Sequence, residues 1–361
     1  VIFDVINGVL IINPDDIVLA EYRGHMREYK NRKRALNKLK KTAATTEDGL
    51  NIELLANIES TEDIKHLHSA GAAGVGLFRS EYLYLNRDTL PTEDEQYEVY
   101  STLIKKLKGK QLTIRTVDLG VDKNPRWFGQ NATPNGSLNP ALGLTGIRLC
   151  LAEPVMFRTQ MRAILRAAAH GKVNMMWPMV ASLTELNQCI VHFETAKRQL
   201  AERGEEYGEV SLGCMIEIPS AALTVGSLLK LVDFISIGTN DLIQYTLSVD
   251  RGDDSVSHLY QPGHPAVLKL LQHIIRTANR MGKSVSVCGE MAGDSTYTRL
   301  LLGMGLRRFS MNPSNLLTIK DIVLRSHTGR LEEESAKLMR NEDPEKTDKL
   351  IKELNKMDEA V

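Results

Sequence analysis

Short apolar runs alternate with amphipathic helical patterns eight times along this chain, and that rhythm restricts the possible folds more than any other feature. The candidate strands are Asn51 to Ile58, Gly74 to Arg79, Leu112 to Asp118, Val173 to Met179, Ser211 to Glu217, Phe234 to Thr239, Ser284 to Glu290 and Arg308 to Met311. Helical patterns such as Glu153 to Ala169 and Ser182 to Glu202 separate them. Repeated strand–helix units build a parallel sheet with helices packed outside it. Eight such units predict an α/β fold, a closed (β/α)8 TIM-type barrel spanning residues 49–330. An open, doubly wound sheet is the alternative, because alternation alone does not require closure.

The rest of the chain reads as appendages. Residues 1–19 resemble a piece of a small β-rich unit, with Val9 to Ile12 as a strand entering a turn at Asn13-Pro14-Asp15. Residues 20–48 read as a basic linker helix, either solvated or a docking surface for an acidic partner. Residues 331–361 read as a Lys/Glu-rich helical tail broken near Pro344, either a peripheral helix or a partly disordered end. The 45 basic and 45 acidic residues balance, which argues against a nucleic-acid-binding surface. No run reaches the roughly 18 apolar residues of a membrane span. The N-terminus has no basic segment before an apolar stretch, unlike a signal peptide. It also lacks Met, which leads to the expectation of a fragment from a longer protein. Four widely spaced cysteines with no Cys-x-x-Cys fit a reducing cytoplasm, and the Asn131-Ala132-Thr133 sequon then reads as chance.

Barrel enzymes carry their chemistry at the C-terminal ends of strands. Here those ends hold Arg79-Ser80-Glu81, Arg115 to Asp118, Glu217, Asn240-Asp241 and Cys288-Gly289-Glu290, with Arg251 a little further on. Glu217 and Asp241 suit a hard divalent cation such as Mg²⁺ with positions left for ligand. Asp241 alone would read equally as a helix cap. Arg79, Arg115 and Arg251 suit a small, multiply anionic substrate, since the guanidinium fork matches phosphate and carboxylate. Cys288 reads as a general acid or as a small buried hydrophobe. His258 and His264 read as loop packing or hydrogen bonding, and Met175, Met176 and Trp177 as core.

The strand ends and their surroundings resemble the C-terminal phosphoenolpyruvate-binding part of the enzyme I family of the bacterial sugar phosphotransferase system. The similarity lies in Gly74 to Glu81, Pro91 to Gln96, Ile114 to Asp118, Ser236 to Leu247, Val249 to Gly252, His258 to Pro262 and Cys288 to Asp294. The resemblance implies that Glu217 and Asp241 ligate Mg²⁺, and that Arg79, Arg115, Arg251 and Lys123 hold the phosphate. It implies that Asn240 contacts the anionic end of phosphoenolpyruvate and that Cys288 protonates the enolate as pyruvate forms. It further implies a phosphoryl-accepting histidine on a swivelling domain, transfer onward to a phosphocarrier protein, and a homodimer through the barrel.

Two departures qualify that reading. The family's Gly-x-Thr-Ser-His stretch is absent, so residues 1–19 are expected to be the truncated end of the swivelling domain and the chain to be unable to phosphorylate itself. The pattern Asn-Pro-x-Leu-Gly-x-Arg-x-x-Arg appears here as Asn139 to Arg148 with Thr145 in place of the first Arg, and Arg148 is expected on another face. The Gly120-Val121-Asp122-Lys123 run is also altered and leads into a long loop to Leu138. A non-catalytic sensing or dimerisation module, and a Mg²⁺-dependent lyase of the pyruvate/enolate type, stay open as alternatives.

Overall fold

The computed structural model describes residues 1–5, 8–119 and 140–356. Lys123, the Gly120 to Leu138 loop, the Asn131 sequon, Asn139 and the last five residues lie outside them. The chain divides into two compact units, Val1–Ala43 and Ala44–Val361.

In the first unit, strands β1 (Ile2–Asp4) and β2 (Val9–Ile11) pair antiparallel. A helix follows over Asp16–Lys38, capped by the Asp15 carboxylate, which accepts from the Val18 N–H at 2.8 Å. None of its side chains is buried.

The second unit is a closed parallel barrel of eight strands. These are β3 (Glu53–Ile58), β4 (Val75–Arg79), β5 (Leu112–Arg115), β6 (Val173–Trp177), β7 (Val210–Ile216), β8 (Phe234–Ile237), β9 (Ser284–Val287) and β10 (Arg308–Met311). Closure comes from β10 pairing with β3, Phe309 opposite Leu54. The strands are buried on both faces and therefore read as continuous apolar runs. Their outward faces meet the helices in one large core that includes Met175 and Trp177. Inside the barrel, Leu77, Met176, Met215 and Cys288 form a separate small cluster.

Local signals set the helices. Thr92 and Ser182 form capping boxes with Glu95 and Glu185 at the starts of the Glu93–Leu107 and Leu183–Arg203 helices. Pro154 and Pro265 occupy first-turn positions where a missing N–H costs nothing. The C-terminal helices Thr328–Leu338 and Pro344–Asn355 bury Leu331, Leu338, Ile351 and Leu354. Both pack against the Ser295–Gly303 helix, where Gly303 lets the Leu331 carbonyl and Ser335 hydroxyl approach closely.

Candidate active site

The C-terminal ends of β3 to β9 gather acids, arginines and one thiol round the barrel mouth. Arg115, the last residue of β5, is its electrostatic centre. Its guanidinium reaches Glu81 Oε1 at 3.1 Å and Asp118 Oδ2 at 2.9 Å, with only 12% of the side chain exposed. Glu81 is itself buried and also accepts from the Asp118 N–H at 2.9 Å. Burial alone would disfavour the Arg115 charge, but Glu81, Asp118 and Glu217 hold it firmly protonated. Ser80 fixes the end of this strand by donating to the Arg115 carbonyl at 2.7 Å, and it accepts in turn from Gln160 Nε2 at 2.9 Å.

Glu217 follows β7 directly and is fully buried. One carboxylate oxygen accepts from the Met179 N–H at 2.6 Å, and the other, Oε2, is buried with no hydrogen-bond partner. Its carboxyl is pushed well above the ordinary range, first by burial and then by repulsion from Asp241 and Asp118, which Arg115 only partly offsets. The chain is shaped to bring this group in. A Cβ on Gly238 would stand 2.5 Å from Glu217 Oε2 and 2.9 Å from its Cβ, so only glycine fits between β8 and the helix Thr239–Leu247. Asp241 lies in the first turn of that helix, whose free N–H groups favour negative charge. The same acids, after burial, push the neighbouring Tyr245 phenol up to about 12.

Asn240 and Cys288 lie across the β8–β9 seam. The Asn240 amide exchanges two hydrogen bonds with Glu290: the Glu290 N–H donates to Oδ1 at 2.9 Å and Nδ2 donates to the Glu290 carboxylate at 3.0 Å. Arg251 Nη1 lies 3.6 Å from the same carboxylate oxygen, Glu290 Oε1. The Cys288 thiol is buried and points toward the Ile237 carbonyl at 3.6 Å. Burial, with Glu217 adding, raises it to about 11, while Ser236, Arg115 and Arg79 pull the other way. Arg79, at the end of β4, is bound to Glu59 at 2.7 Å just past β3.

The structure thus couples Glu217 to Arg115 and Asp241, and Cys288 to Glu217, Arg115 and Arg79, while Asn240 and Arg251 meet at Glu290. Four participants carried no role from sequence: Glu81 and Asp118, which neutralise Arg115, and Glu59 and Glu290, which occupy the other two arginines. Their only signal was position at strand ends. Thr145 lines a cleft of about 160 Å³ beside the mouth with Met179, Ile218 and Tyr245. Arg148 lines it too rather than another face, and is drawn to Glu185 at 3.4 Å. His264 caps the Pro265–Arg280 helix through the Ala266 N–H at 3.2 Å. Larger clefts of about 470 and 420 Å³ run along that helix, lined by Arg276 and away from these acids.

Among the described residues, no three His, Cys, Asp or Glu side chains form a ready-made metal cage. Two carboxylates, one with an orphaned buried oxygen, amid excess negative charge instead fit a cation that keeps several waters, which is the habit of Mg²⁺.

A family model described as PEP-utilising enzyme, PEP-binding domain matches residues 33–328. A phosphoenolpyruvate-protein phosphotransferase of Cupriavidus necator is 50% identical over 356 residues, covering 98% of this chain and 60% of its own length. The protein of the same name from Staphylococcus carnosus is 40% identical over 357 residues, 99% of this chain and 62% of its own. The chain therefore spans about 60% of the length of these relatives. A crystal structure of a citrate lyase from Burkholderia xenovorans overlaps 82% of each chain at 15% identity with a TM-score of 0.48. The chain belongs to the family of PEP-utilising enzymes and holds their PEP-binding domain.

Proposed function

We propose that this chain is the phosphoenolpyruvate-binding part of a phosphoenolpyruvate-protein phosphotransferase, enzyme I of the sugar phosphotransferase system. The observation that carries the reading is the buried, unpartnered Glu217 Oε2 in a mouth where, among the described residues, carboxylates outnumber cations. Glu217 and Asp241 would hold Mg²⁺, which when bound offsets the negative charge of the phosphoryl and carboxylate groups.

The chain's own residues supply the rest. Arg115 presents a guanidinium that stays charged, and Arg79 and Arg251 add two more forks for phosphate oxygens. Lys123 joins them on the strength of the resemblance. Asn240 offers an N–H donor to the anionic end of the ligand. When the ester O–P bond breaks and an N–P bond forms on a histidine, the enolate left behind needs a proton on carbon. Cys288 keeps its proton far above neutral pH and can give it, the S–H bond breaking as the C–H bond forms. The histidine is proposed to lie on a swivelling domain of which residues 1–19 are the end, with 20–48 as linker, 49–330 as barrel and 331–361 as tail. Onward transfer to a phosphocarrier protein, a homodimer through the barrel, and a cytoplasmic setting complete the proposal.

Calorimetry of the chain with phosphoenolpyruvate should show binding that depends on Mg²⁺. Incubation with labelled phosphoenolpyruvate should leave no stable histidine label; a labelled histidine would contradict the proposed division of labour. Thr145 favours a second reading, a weak or purely sensing site, because a threonine stands in the cleft beside the mouth where the family pattern has Arg. Thr145→Arg should tighten phosphoenolpyruvate binding about tenfold, the worth of one charge-assisted hydrogen bond. Titration showing no gain removes the idea that Thr145 weakens the site.

A further inference from the structure

We infer that Glu290 is an internal anion that occupies the Asn240–Arg251 side of the mouth and must be displaced before an anionic ligand can bind there. The inference rests on the proposed phosphoenolpyruvate site and adds a residue that tunes its affinity. Glu290 Oε1 accepts from Asn240 Nδ2 at 3.0 Å and lies 3.6 Å from Arg251 Nη1. One carboxylate oxygen therefore takes up the Asn240 donor proposed for the ligand's anionic end and faces the Arg251 fork proposed for its phosphate.

Backbone and side chain of Glu290 play separate parts. Its N–H donates to Asn240 Oδ1 at 2.9 Å, and this contact is fixed, because Gly289 packs so tightly on Thr239 and Asn240 that no Cβ fits there. The Asn240 amide is thus held with its NH₂ aimed outward whether or not the carboxylate is present. The carboxylate itself is free to leave, since 82% of the Glu290 side chain is exposed. Arg115 offers the contrast. Its partners Glu81 and Asp118 are 7% and 16% exposed and cannot swing into water. Arg115 stays charged with partners that cannot leave it, whereas the partner of Arg251 can move away. Ligand binding then exchanges the Glu290 carboxylate for the ligand's own anionic groups at these donors, so part of each new contact is offset by the one lost.

The test is calorimetric titration of phosphoenolpyruvate with Mg²⁺ into the full chain and its Glu290→Gln variant. Gln keeps the backbone N–H and the side-chain length and loses the charge. Binding should tighten about two- to fivefold, the scale of an exposed ion pair. The gain should shrink in an Arg251→Ala background, because the two residues act as a pair. Unchanged or weaker binding by Glu290→Gln overturns the inference, as does an equal gain without Arg251, which would make Glu290 a distant repeller only. Failure of the unaltered chain to bind phosphoenolpyruvate would instead sink the underlying function, and the inference with it.

Discussion

Two clusters of arginines and acids in this barrel unit are built from the same residue types with opposite accounting. On the outer wall, Glu93 receives Arg162 at 2.6 Å, Arg166 at 3.0 Å and Arg203 at 3.2 Å. Burial alone would raise its carboxyl, but those guanidinium groups outweigh burial and hold it below the ordinary range. At the mouth the ratio is inverted. Arg115 faces Glu81, Asp118 and Glu217, with Asp241 beside them, and the Glu217 carboxyl is driven up. The outer network is closed by the chain's own charges. Among the described residues the mouth has more carboxylates than arginines, which suits the proposed cation. An acid pushed away from its ordinary range by burial and by like charge marks the functional cluster, while a paired acid marks scaffolding.

Arg115 is the residue whose loss should affect the mouth most. Arg115→Ala leaves the buried Glu81 and Glu217 and the half-buried Asp118 without the guanidinium that offsets them, and should cost about 3–5 kcal/mol in denaturant unfolding, together with phosphoenolpyruvate binding. A loss no larger than that of an exposed arginine would mean that the mouth is not a coupled buried cluster. Glu93→Gln comes next, at about 1.5–3 kcal/mol for hydrogen bonds to a charged group. Its pH dependence has a definite sign. The folded form holds Glu93 below its ordinary value of 4.5, so its contribution is fully present above that value. The contribution is lost as pH falls through the lowered one. Unfolding midpoints of Glu93→Gln and the unaltered chain should converge in acid and separate toward neutrality.

Glu217→Gln should behave in the opposite way. Here the folded value lies above 4.5, so ionising Glu217 costs stability as pH rises from 4.5 through the raised value. Gln imitates the protonated acid and avoids that cost. The variant without metal should melt at or above the unaltered chain at neutral pH, and only the unaltered chain should gain melting temperature from Mg²⁺. A substantial drop for Glu217→Gln would place Glu217 with Glu93 as scaffolding.

Sequence carried the barrel further than it carried the site. All eight strands are visible as apolar runs, and β10 has the bounds read from it. Several others were read too long at the C-terminal end: Leu112 to Asp118 contains a strand that stops at Arg115, and Phe234 to Thr239 one that stops at Ile237. The excess in each is the loop that carries chemistry, which stays half apolar because it is buried, so periodicity does not mark where the ladder ends. Closure is expected from the count of eight units, with an open sheet as the alternative, and the pairing that makes it, Phe309 opposite Leu54, leaves no local trace because it spans most of the unit. Within the site, residue types were legible and pairings were not. Nothing in a strand-end Glu says whether it will be orphaned like Glu217 or spent on an arginine like Glu59. The Glu93 network was missed for the same reason. Arg162 and Arg166 sit one helical turn apart and hint at a shared partner, but Glu93 lies in another helix.

Cys288 gives the smallest and finest test of the division between mouth and scaffold. The four cysteines are all buried, and burial raises each thiol. Cys150 and Cys189 belong to the large core between barrel and helices, as does Cys214, raised to about 12. Cys288 alone belongs to the small interior cluster under the mouth, and it is raised least, to about 11. Thiol alkylation near pH 8 should therefore be slow at every position, and Cys288 should react first as pH climbs, with phosphoenolpyruvate and Mg²⁺ protecting it. Cys288→Ala should cost about 1 kcal/mol of stability, a typical core truncation. It should leave phosphoenolpyruvate affinity nearly unchanged, because the proposed proton transfer acts after binding. If the variant instead binds much more weakly, Cys288 shapes the pocket rather than supplying the proton, and the thiol moves to the scaffold side of the comparison.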